Sequence, residues 1–207
     1  MTSESRLLCR EAHWQKPLIM LRWLQHGARA SMEASPIFVF DSSSLVASCQ
    51  FAVGRRPVAD IALPGAHIQI PPAVYQEVVI QGGSRPDALT AARLLQAGHI
   101  RMADTITVGE ALEDLQHYQL GQGETEGLTL TARLGHSAIM VTDDFLALIV
   151  ANRLGLSCQL FLDFVVGRAR RSELTVTEAQ QVVQAVSPRY PAGFVPHSLV
   201  MLRRLQP

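Results

Sequence analysis

The sequence predicts an α/β protein built on a parallel β-sheet that helices cover on both faces. From residue 37 onwards, short strand-like runs alternate with longer amphipathic segments, which is the pattern of repeated β-α-β units. The strand-like runs are rich in β-branched and aromatic residues, as expected of buried strands. With 207 residues, of which 48% are hydrophobic, the chain can bury a core of this kind.

The first two predicted strands are each followed by a helix start. Ile37–Phe40 is β-branched and aromatic and predicts a buried strand. Ser42–Ser44 then supplies capping hydroxyls for a helix that begins near Leu45. Ala66–Ile70 predicts the second strand, and Pro71-Pro72 opens the next helix because proline suits the first helical turn.

Glycines mark the ends of the middle elements. Gly82-Gly83 ends the second helix, and Gly98 ends an amphipathic helix that is predicted over Asp87–Gln96. His99–Ile106 predicts the third strand. A further helix with an acidic outer face is expected over Val108–Gln116.

The last two predicted strands flank a helix. After the flexible Gly121–Gly123 segment, residues 124–134 have the apolar spacing of a helix. Ser137–Val141 is the clearest candidate for a central strand, and Leu156–Leu160 predicts a fifth. The apolar segment Phe145–Leu154 between them predicts another helix.

The chain is expected to have three parts. Residues 1–35 form a helical extension, residues 36–175 form the α/β domain, and residues 176–207 form a C-terminal helical tail packed on that domain. The extension carries apolar residues that need a surface to cover. It is either a docking or oligomerisation element or absent from a shorter product that starts at Met32.

Composition narrows the classes of protein to consider. Lys plus Arg equal Asp plus Glu at 18 each, so no global positive field marks a nucleic-acid binder, although a local basic patch remains open. Cys9, Cys49 and Cys158 form no C-x-x-C pair, which favours a reducing, cytoplasmic location over a disulfide framework. No apolar run reaches the roughly 20 residues of a membrane-spanning helix. No membrane partner is therefore expected.

Acidic residues recur where the predicted strands end. Asp41 follows the first strand, the pair Asp143-Asp144 follows the fourth, and Glu77 and Glu124 lie on helices that begin at the same edge. Because ligands bind beyond the carboxyl ends of parallel strands, these carboxylates are expected to meet there. Crowded carboxylates repel one another unless a cation or protons intervene. The alternative is that each is an ordinary solvated acid near a helix start.

The four segments that carry these acids follow one another in a specific order and spacing. They are Phe38–Leu45 with Asp41, Pro71–Val79 with Glu77, Leu120–Glu126 with Glu124, and Val141–Asp144 followed by Ala147, Ala151 and Gly155. Together they resemble the PIN-domain family of metal-dependent nucleases over residues 37–175. Two features depart from that family, namely the long N-terminal extension and a Ser157–Leu160 segment that lacks a Gly-Thr turn.

The resemblance implies a three-layer α/β/α sandwich with a central parallel sheet. It implies an endoribonuclease that hydrolyses RNA phosphodiester bonds, and the family includes toxins of bacterial toxin-antitoxin pairs. The catalytic residues would be Asp41, Glu77, Glu124 and Asp143. Their carboxylate oxygens suit Mg²⁺ or Mn²⁺, which also binds substrate phosphate.

The metal ligands are predicted to be Asp41, Glu124, Asp143 and Asp144. Asp41, held rigidly at a strand end, is expected to be the central ligand, and Glu77 and Asp144 would bind directly or through water. Adjacent residues of an extended chain face opposite ways, so the sequence leaves open whether Asp143 or Asp144 points inward.

Two further groups of residues are candidates for supporting roles. Ser43 and Thr142 would hold carboxylates or waters in place, although helix capping and strand-edge hydrogen bonds explain both equally well. Arg168, Arg170 and Arg171 form a local basic cluster that would contact an RNA backbone, the alternative being a solvated helix end.

Several other functions are considered. A PIN-like scaffold that binds RNA or a protein partner without cleaving is the serious alternative, and an antitoxin protein or a second copy of the chain would be further partners. Gly121–Gly127 departs from a dinucleotide-binding fingerprint because its third glycine is one place late. No serine lies in a nucleophile-elbow pattern, which argues against a serine hydrolase.

Overall fold

The computed structural model describes residues 35–104, 106 and 115–206. Within them, the strands are β1 (Ile37–Phe40), β2 (Ala52–Val53), β3 (Arg56–Pro57), β4 (His67–Ile70), β5 (Ile100–Met102), β6 (Ala138–Val141) and β7 (Cys158–Gln159). Five of them form one sheet in the order β5-β4-β1-β6-β7, and every neighbouring pair is parallel. β1 therefore lies at the centre, while β2 and β3 form a small antiparallel hairpin outside this sheet.

Helices connect these strands. In chain order they are α1 (Ser42–Gln50), α2 (Ala59–Ala62), α3 (Pro72–Tyr75), α4 (Pro86–Gln96), α5 (Gln122–Leu134), α6 (Phe145–Arg153), α7 (Phe161–Arg170), α8 (Val176–Ala185) and α9 (Phe194–Arg203). A π-helical turn over Gln76–Ile80 extends α3, and short 3-10 turns occupy Gly135–Ser137 and Ser187–Arg189.

One face of the sheet carries the larger part of the core. Phe38 and Phe40 of β1 pack with Phe161 and Phe164 of α7, and their ring centroids lie 4.8–6.2 Å apart in edge-to-face pairs. Buried residues of α1, α4, α8 and α9 join the same cluster. Successive side chains of a strand point to opposite faces, so the alternation along β1 directs both phenylalanines to this side.

The other face of the sheet is covered by α5 and α6. Val39 of β1 packs with Leu130 of α5, and Met140 of β6 packs with Leu128 of α5 and Val150 of α6. The described residues therefore form helix, sheet and helix layers. The predicted α/β fold with a central parallel sheet is confirmed.

The elements differ from the sequence prediction mainly at their ends. The third strand is Ile100–Met102 rather than His99–Ile106, and the fifth is Cys158–Gln159 rather than Leu156–Leu160. The β2–β3 hairpin was not predicted. The predicted helical extension up to residue 34 and most of the predicted helix 108–116 lie outside the described residues.

The C-terminal segment contributes to the main core. Ala179, Val182 and Val183 of α8 and Leu202 of α9 are buried in the cluster that contains Phe164. A capping box between Thr175 and Glu178 begins α8. Among the described residues, no helix is long and apolar enough to cross a bilayer.

Candidate active site at the carboxyl edge of the sheet

Asp41 lies at the carboxyl end of the central strand and caps α1. Its side chain is fully buried and accepts a hydrogen bond of 2.8 Å from the backbone N–H of Ser44. The Ser44 hydroxyl lies 2.6 Å from Asp41 Oδ1, and the Thr142 hydroxyl donates to Asp41 Oδ2 at 2.5 Å. A helix start beyond a buried strand thus fixes this carboxyl group.

Two hydroxyl groups connect Asp41 to the segment after β6. The Ser43 hydroxyl lies 2.8 and 2.9 Å from the two Asp41 oxygens and accepts the N–H of Asp143 at 2.9 Å. The Thr142 hydroxyl, which donates to Asp41, accepts the N–H of Asp144 at 3.0 Å. Both residues that the sequence suggested as supports therefore contact Asp41 and fix the backbone of the late acidic pair.

Glu77 reaches the same edge from the π-helical turn after α3. Its Oε2 accepts a hydrogen bond from the Ser42 hydroxyl at the start of α1. The three consecutive serines that follow Asp41 thus have different roles, since Ser42 contacts Glu77 while Ser43 and Ser44 contact Asp41. Single π-helical turns within helices often occur at functional sites.

Gly123 allows the start of α5 to approach Glu77. A Cβ atom at this position would lie 3.0 Å from Ser42 Oγ and 3.1 Å from Glu77 Oε2. The next residue, Glu124, folds back over Gly121, where a Cβ atom would lie 2.4 Å from Glu124 Oε2. Larger side chains at Gly121 and Gly123 would therefore collide with their neighbours. The segment 121–123 is the start of helix α5 rather than a loose loop.

Glu126, two residues after Glu124, also contacts α3. Its Oε2 accepts the backbone N–H of Ala73 at 2.8 Å, and its Oε1 accepts from Gln122 at 3.0 Å. The Ala73 N–H is one of the donors at a helix start that lack a partner within the helix. Glu126 thus ties α5 to α3 beside Glu77.

The two neighbouring aspartates after β6 point to different surroundings. Asp143 accepts the N–H of Phe161 at 3.2 Å and the hydroxyl of Tyr190 at 2.8 Å. Asp144 caps α6 by accepting the N–H of Ala147 at 2.7 Å, and its charge raises the pKa of Glu124. The structure therefore brings Asp144, rather than Asp143, to Glu124, because consecutive side chains of the extended segment diverge.

Electrostatics indicate that four carboxyl groups share one region. Burial raises the pKa of Glu124 above its ordinary value, and the negative charges of Asp41, Asp144 and Glu77 raise it further. Burial also raises the pKa of Asp41, although hydrogen bonds from Ser44, Thr142 and Ser43 act in the opposite direction. Charges that repel at one edge of a core favour a bound cation or protons.

Ser44 also connects Asp41 to the end of β6. Its Oγ lies 2.6 Å from Asp41 Oδ1 and 2.6 Å from the carbonyl oxygen of Val141. The hydroxyl group therefore bridges the first turn of α1 and the neighbouring strand.

Asp41, Glu77, Glu124 and Asp144 offer only oxygen atoms, which fit hard divalent cations such as Mg²⁺ and Mn²⁺ in charge and chemistry. In the described part of the chain, no three His, Cys, Asp or Glu side chains are arranged as a complete metal site. Glu77 is held by Ser42 and Glu124 by the backbone of Gly121. Each of these two glutamates therefore has a hydrogen-bond donor beside it and further oxygen lone pairs that a cation would use.

The arginine cluster that was expected to contact RNA lies at the opposite edge of the sheet. Helix α7 begins beyond β7 at the acidic edge, and its last turn carries Arg168 to the loop before β4. Arg168 is only 2% exposed, donates to the carbonyl oxygens of Ala62 and Pro64, and pairs with Glu173. These contacts argue against RNA contact by Arg168, because its guanidinium group already binds groups within the fold.

The other two arginines of this cluster remain near the surface at the same opposite edge. Arg171 pairs with Glu173 and lies 5.7 Å from the ring centroid of Phe38, near the amino end of β1. Arg170 is exposed at the end of α7. Neither residue is positioned beside Asp41.

Two residues of the C-terminal segment reach the acidic edge and were not predicted. Tyr190 donates to Asp143, and Arg189 donates to the carbonyl oxygen of Ser43 at 3.2 Å. Burial raises the pKa of Asp143, while the hydrogen bond from Tyr190 and the charge of Arg189 oppose that rise. The one sequence signal is an Arg-Tyr pair between Pro188 and Pro191, in a tail that is otherwise helical.

Comparison with known proteins gives a family match and a weak similarity to solved structures. A family model described as DUF3368, a PIN domain, matches residues 37–188. The chain is 14% identical to a PilT N-terminus domain protein, SSO1118, from the hyperthermophilic archaeon Sulfolobus solfataricus P2, with a TM-score of 0.38 over 62% of this chain and 89% of that chain. No curated protein matches. The family match includes Asp41, Glu77, Glu124 and Asp144.

Proposed function

We propose that this chain, which belongs to the PIN-domain family, is a divalent-metal-dependent endoribonuclease. PIN domains are typically nucleases and generally use divalent metals. The observation that carries the proposal is the group of four carboxyl groups formed by the fully buried Asp41 with Glu77, Glu124 and Asp144, which come from four separate segments of the chain. A structural role alone does not explain why Asp41, Asp144 and Glu77, whose negative charges raise the pKa of Glu124, are gathered at one edge.

The proposed metal ligands are Asp41, Glu124 and Asp144, with Glu77 as a direct or water-mediated ligand. A bound Mg²⁺ or Mn²⁺ ion would supply an activated water and polarise the phosphoryl oxygen of RNA. Ser43 and Thr142 hold Asp41 and the backbone of residues 143–144 in register, so two of the segments that carry ligands are tied to each other. Asp143 is proposed to position the α7 start and Tyr190 rather than to bind metal.

The alternative function is a PIN-like scaffold that binds RNA or a protein without cleaving. The complete set of acidic residues argues against it, because the loss of a single ligand suffices to abolish activity. Metal titration by calorimetry, followed by incubation with RNA, separates the two functions. Metal binding without cleavage of any RNA would favour the scaffold.

The substitution Asp41→Asn tests the proposal most directly. It is expected to abolish Mn²⁺-dependent RNA cleavage, because asparagine replaces a charged ligand with a neutral one. The unfolding free energy should change by only about 1 kcal/mol, since the substitution also removes a buried carboxyl group from a cluster of like charges. Cleavage is measured on gels with a mixed-sequence RNA, with Mn²⁺ or with EDTA, and folding by circular dichroism.

Asp104→Asn is the matched control for this experiment. Asp104 follows β5 at the same edge of the sheet, but it is exposed and contributes no charge to the pKa of Glu124. This variant is expected to cleave RNA as the wild type does. Undiminished cleavage by a folded Asp41→Asn variant would defeat the assignment of the site.

Partners and location belong to the same proposal. A cytoplasmic setting agrees with Cys49 and Cys158, which are free thiols. If the nuclease is a toxin, an antitoxin protein would suppress it, and strong expression without that partner should arrest growth. A homodimer is the other proposed assembly.

A further inference from the structure

An open cleft of about 400 Å³ adjoins the acidic edge on the side of Asp143. Its walls come from the segment after β6, from the start of α7 and from the C-terminal segment. The lining residues that matter here are Asp143, Phe145, Arg189, Tyr190 and Phe194. Asp143 forms one wall of the cleft, and the proposed metal ligand Asp144 is the next residue in the chain.

Exposed aromatic rings line this cleft. Phe145, the first residue of α6, is 69% exposed, the largest exposure among the large apolar side chains of the described residues. Phe194, the first residue of α9, is 41% exposed. A phenylalanine side chain that is exposed to water gains no stabilisation from burial. Two such side chains at one cleft therefore indicate a surface that binds a flat apolar group.

A positive charge lies beside these rings. Arg189 is exposed, and its charge acts on Asp143. None of the ion pairs within the described ranges includes Arg189, and its guanidinium donates to the Ser43 carbonyl. Several of its five N–H donors therefore remain for an anion such as a phosphate.

We propose that this cleft binds an unpaired nucleobase of the RNA strand. The base stacks on Phe145, Phe194 forms part of the cleft wall, and Arg189 contacts a neighbouring phosphate. The inference rests on the proposed nuclease function and adds a single-stranded subsite to it. A cleft of this volume suits a small planar group, and the aromatic face next to a cation complements a base next to its phosphate. Stacking accepts every base, so the subsite selects unpaired strands rather than a sequence.

The test combines protein variants with a modified oligonucleotide. RNA binding is measured by fluorescence anisotropy in the Asp41→Asn background, and in wild-type protein with EDTA in case that variant folds poorly. Phe145→Ala is expected to weaken binding of an intact single-stranded oligonucleotide about tenfold, while Phe145→Trp should retain it. One abasic site is then moved along the oligonucleotide. At one position the abasic site should weaken binding to protein that retains Phe145. At that position it should not weaken binding to the Phe145→Ala variant any further.

Leu89→Ala is the matched control. Leu89 is 58% exposed on α4 and does not line the cleft, so this variant should bind RNA as the wild type does. Equal affinity of Phe145→Ala and Leu89→Ala for the intact strand would overturn the inference. So would a change of molecular mass caused by Phe145→Ala in light scattering, because the ring would then belong to a protein interface.

Failure of the subsite and failure of the nuclease proposal give different results. If wild-type protein cleaves RNA with Mn²⁺ but Phe145→Ala protein binds and cleaves single strands equally well, only the subsite is wrong. If wild-type protein neither binds nor cleaves RNA, the nuclease proposal fails, and the subsite fails with it.

Discussion

At the scale of single residues, Asp41 shows what the sequence can and cannot predict. Its place after an apolar strand predicted a carboxyl group at the sheet edge, because strand polarity follows directly from the chain. The pairing of Ser42 with Glu77 and of Thr142 with Asp41 joins residues 35 and 101 positions apart. Such pairs depend on how the layers meet, which a single sequence does not determine.

The raised pKa values predict how stability without metal depends on pH. Burial raises the pKa of Asp41, and burial with neighbouring charges raises that of Glu124. In the unfolded chain both groups ionise at their lower, ordinary pKa. Their contribution to stability is therefore complete below that ordinary pKa and is lost as the pH rises through the folded-state pKa. Urea unfolding in EDTA across this range should show the decline, and Asp41→Asn should reduce it.

Added Mn²⁺ is expected to reverse this trend. Metal binding requires ionised carboxylates, so the stabilisation by Mn²⁺ should grow as the pH rises. The same unfolding curves with and without Mn²⁺ measure it. The contrary result would be a free energy of unfolding, measured without metal, that rises with pH equally in the wild type and in Asp41→Asn. It would show that burial does not destabilise the ionised form of these carboxyl groups.

At the scale of elements, strands with strong local signals were predicted and weaker ones were not. β1 and β6 consist of apolar residues that favour a buried strand whatever their neighbours are. Their predicted and observed limits agree closely. β2 and β3 have two residues each and exist through their pairing with each other. The glycines before Glu124 were interpreted as a loop because glycine lowers helix propensity, whereas close packing against α3 outweighs that preference.

Gly123→Ala is predicted to impair activity without unfolding the protein. Alanine stabilises a helix by up to about 1 kcal/mol relative to glycine. Its Cβ atom, however, would lie 3.0 Å from Ser42 Oγ and 3.1 Å from Glu77 Oε2, so both side chains must shift. We expect an unfolding free energy within about 1 kcal/mol of wild type and cleavage reduced roughly tenfold to a hundredfold. Urea unfolding and single-turnover cleavage measure the two effects.

Gly127→Ala is the control for this prediction, because Gly127 lies one turn later on α5. A Cβ atom there would also lie 3.0 Å from its nearest neighbour, but that neighbour is the terminal methyl group of the Met140 side chain. A flexible methionine end can adjust, so this variant should cleave RNA normally. Equal losses in both variants would mean that α5 packing in general, rather than the approach to Glu77, controls activity.

At the scale of the whole molecule, the two edges of the sheet have different roles. The acids gather at the carboxyl edge because strands β1 and β6 both end there. The predicted basic cluster lies away from the acids because α7 runs back across the sheet and places its last turn at the other edge. Tyr190 and Arg189, in contrast, reach the acidic edge from residues beyond the predicted end of the domain at 175. Both outcomes depend on the path of the C-terminal helices, which their local sequence does not specify.

Arg168→Met is predicted to destabilise the fold and to leave RNA recognition unchanged. The substitution keeps much of the side-chain volume, but it removes hydrogen bonds to two carbonyl oxygens and the pair with Glu173. Because Arg168 is buried and Glu173 keeps Arg171 as a partner, we expect a loss of about 2–4 kcal/mol in unfolding free energy. Urea unfolding measures this loss, and anisotropy at low temperature, where the variant remains folded, measures RNA affinity.

Arg170→Met separates the structural role from the loss of a positive charge. Arg170 is exposed on the same helix, two residues away, so its removal should change the unfolding free energy by about 0.5 kcal/mol or less. If the edge of the sheet opposite the acids, here called the amino edge, takes no part in RNA binding, both variants bind RNA with wild-type affinity. Only Arg168→Met then unfolds at a lower urea concentration. A folded Arg168→Met or Arg170→Met variant with clearly weaker RNA binding would instead assign RNA contact to the amino edge, and an RNA strand would then extend across the sheet from the carboxylates to α7.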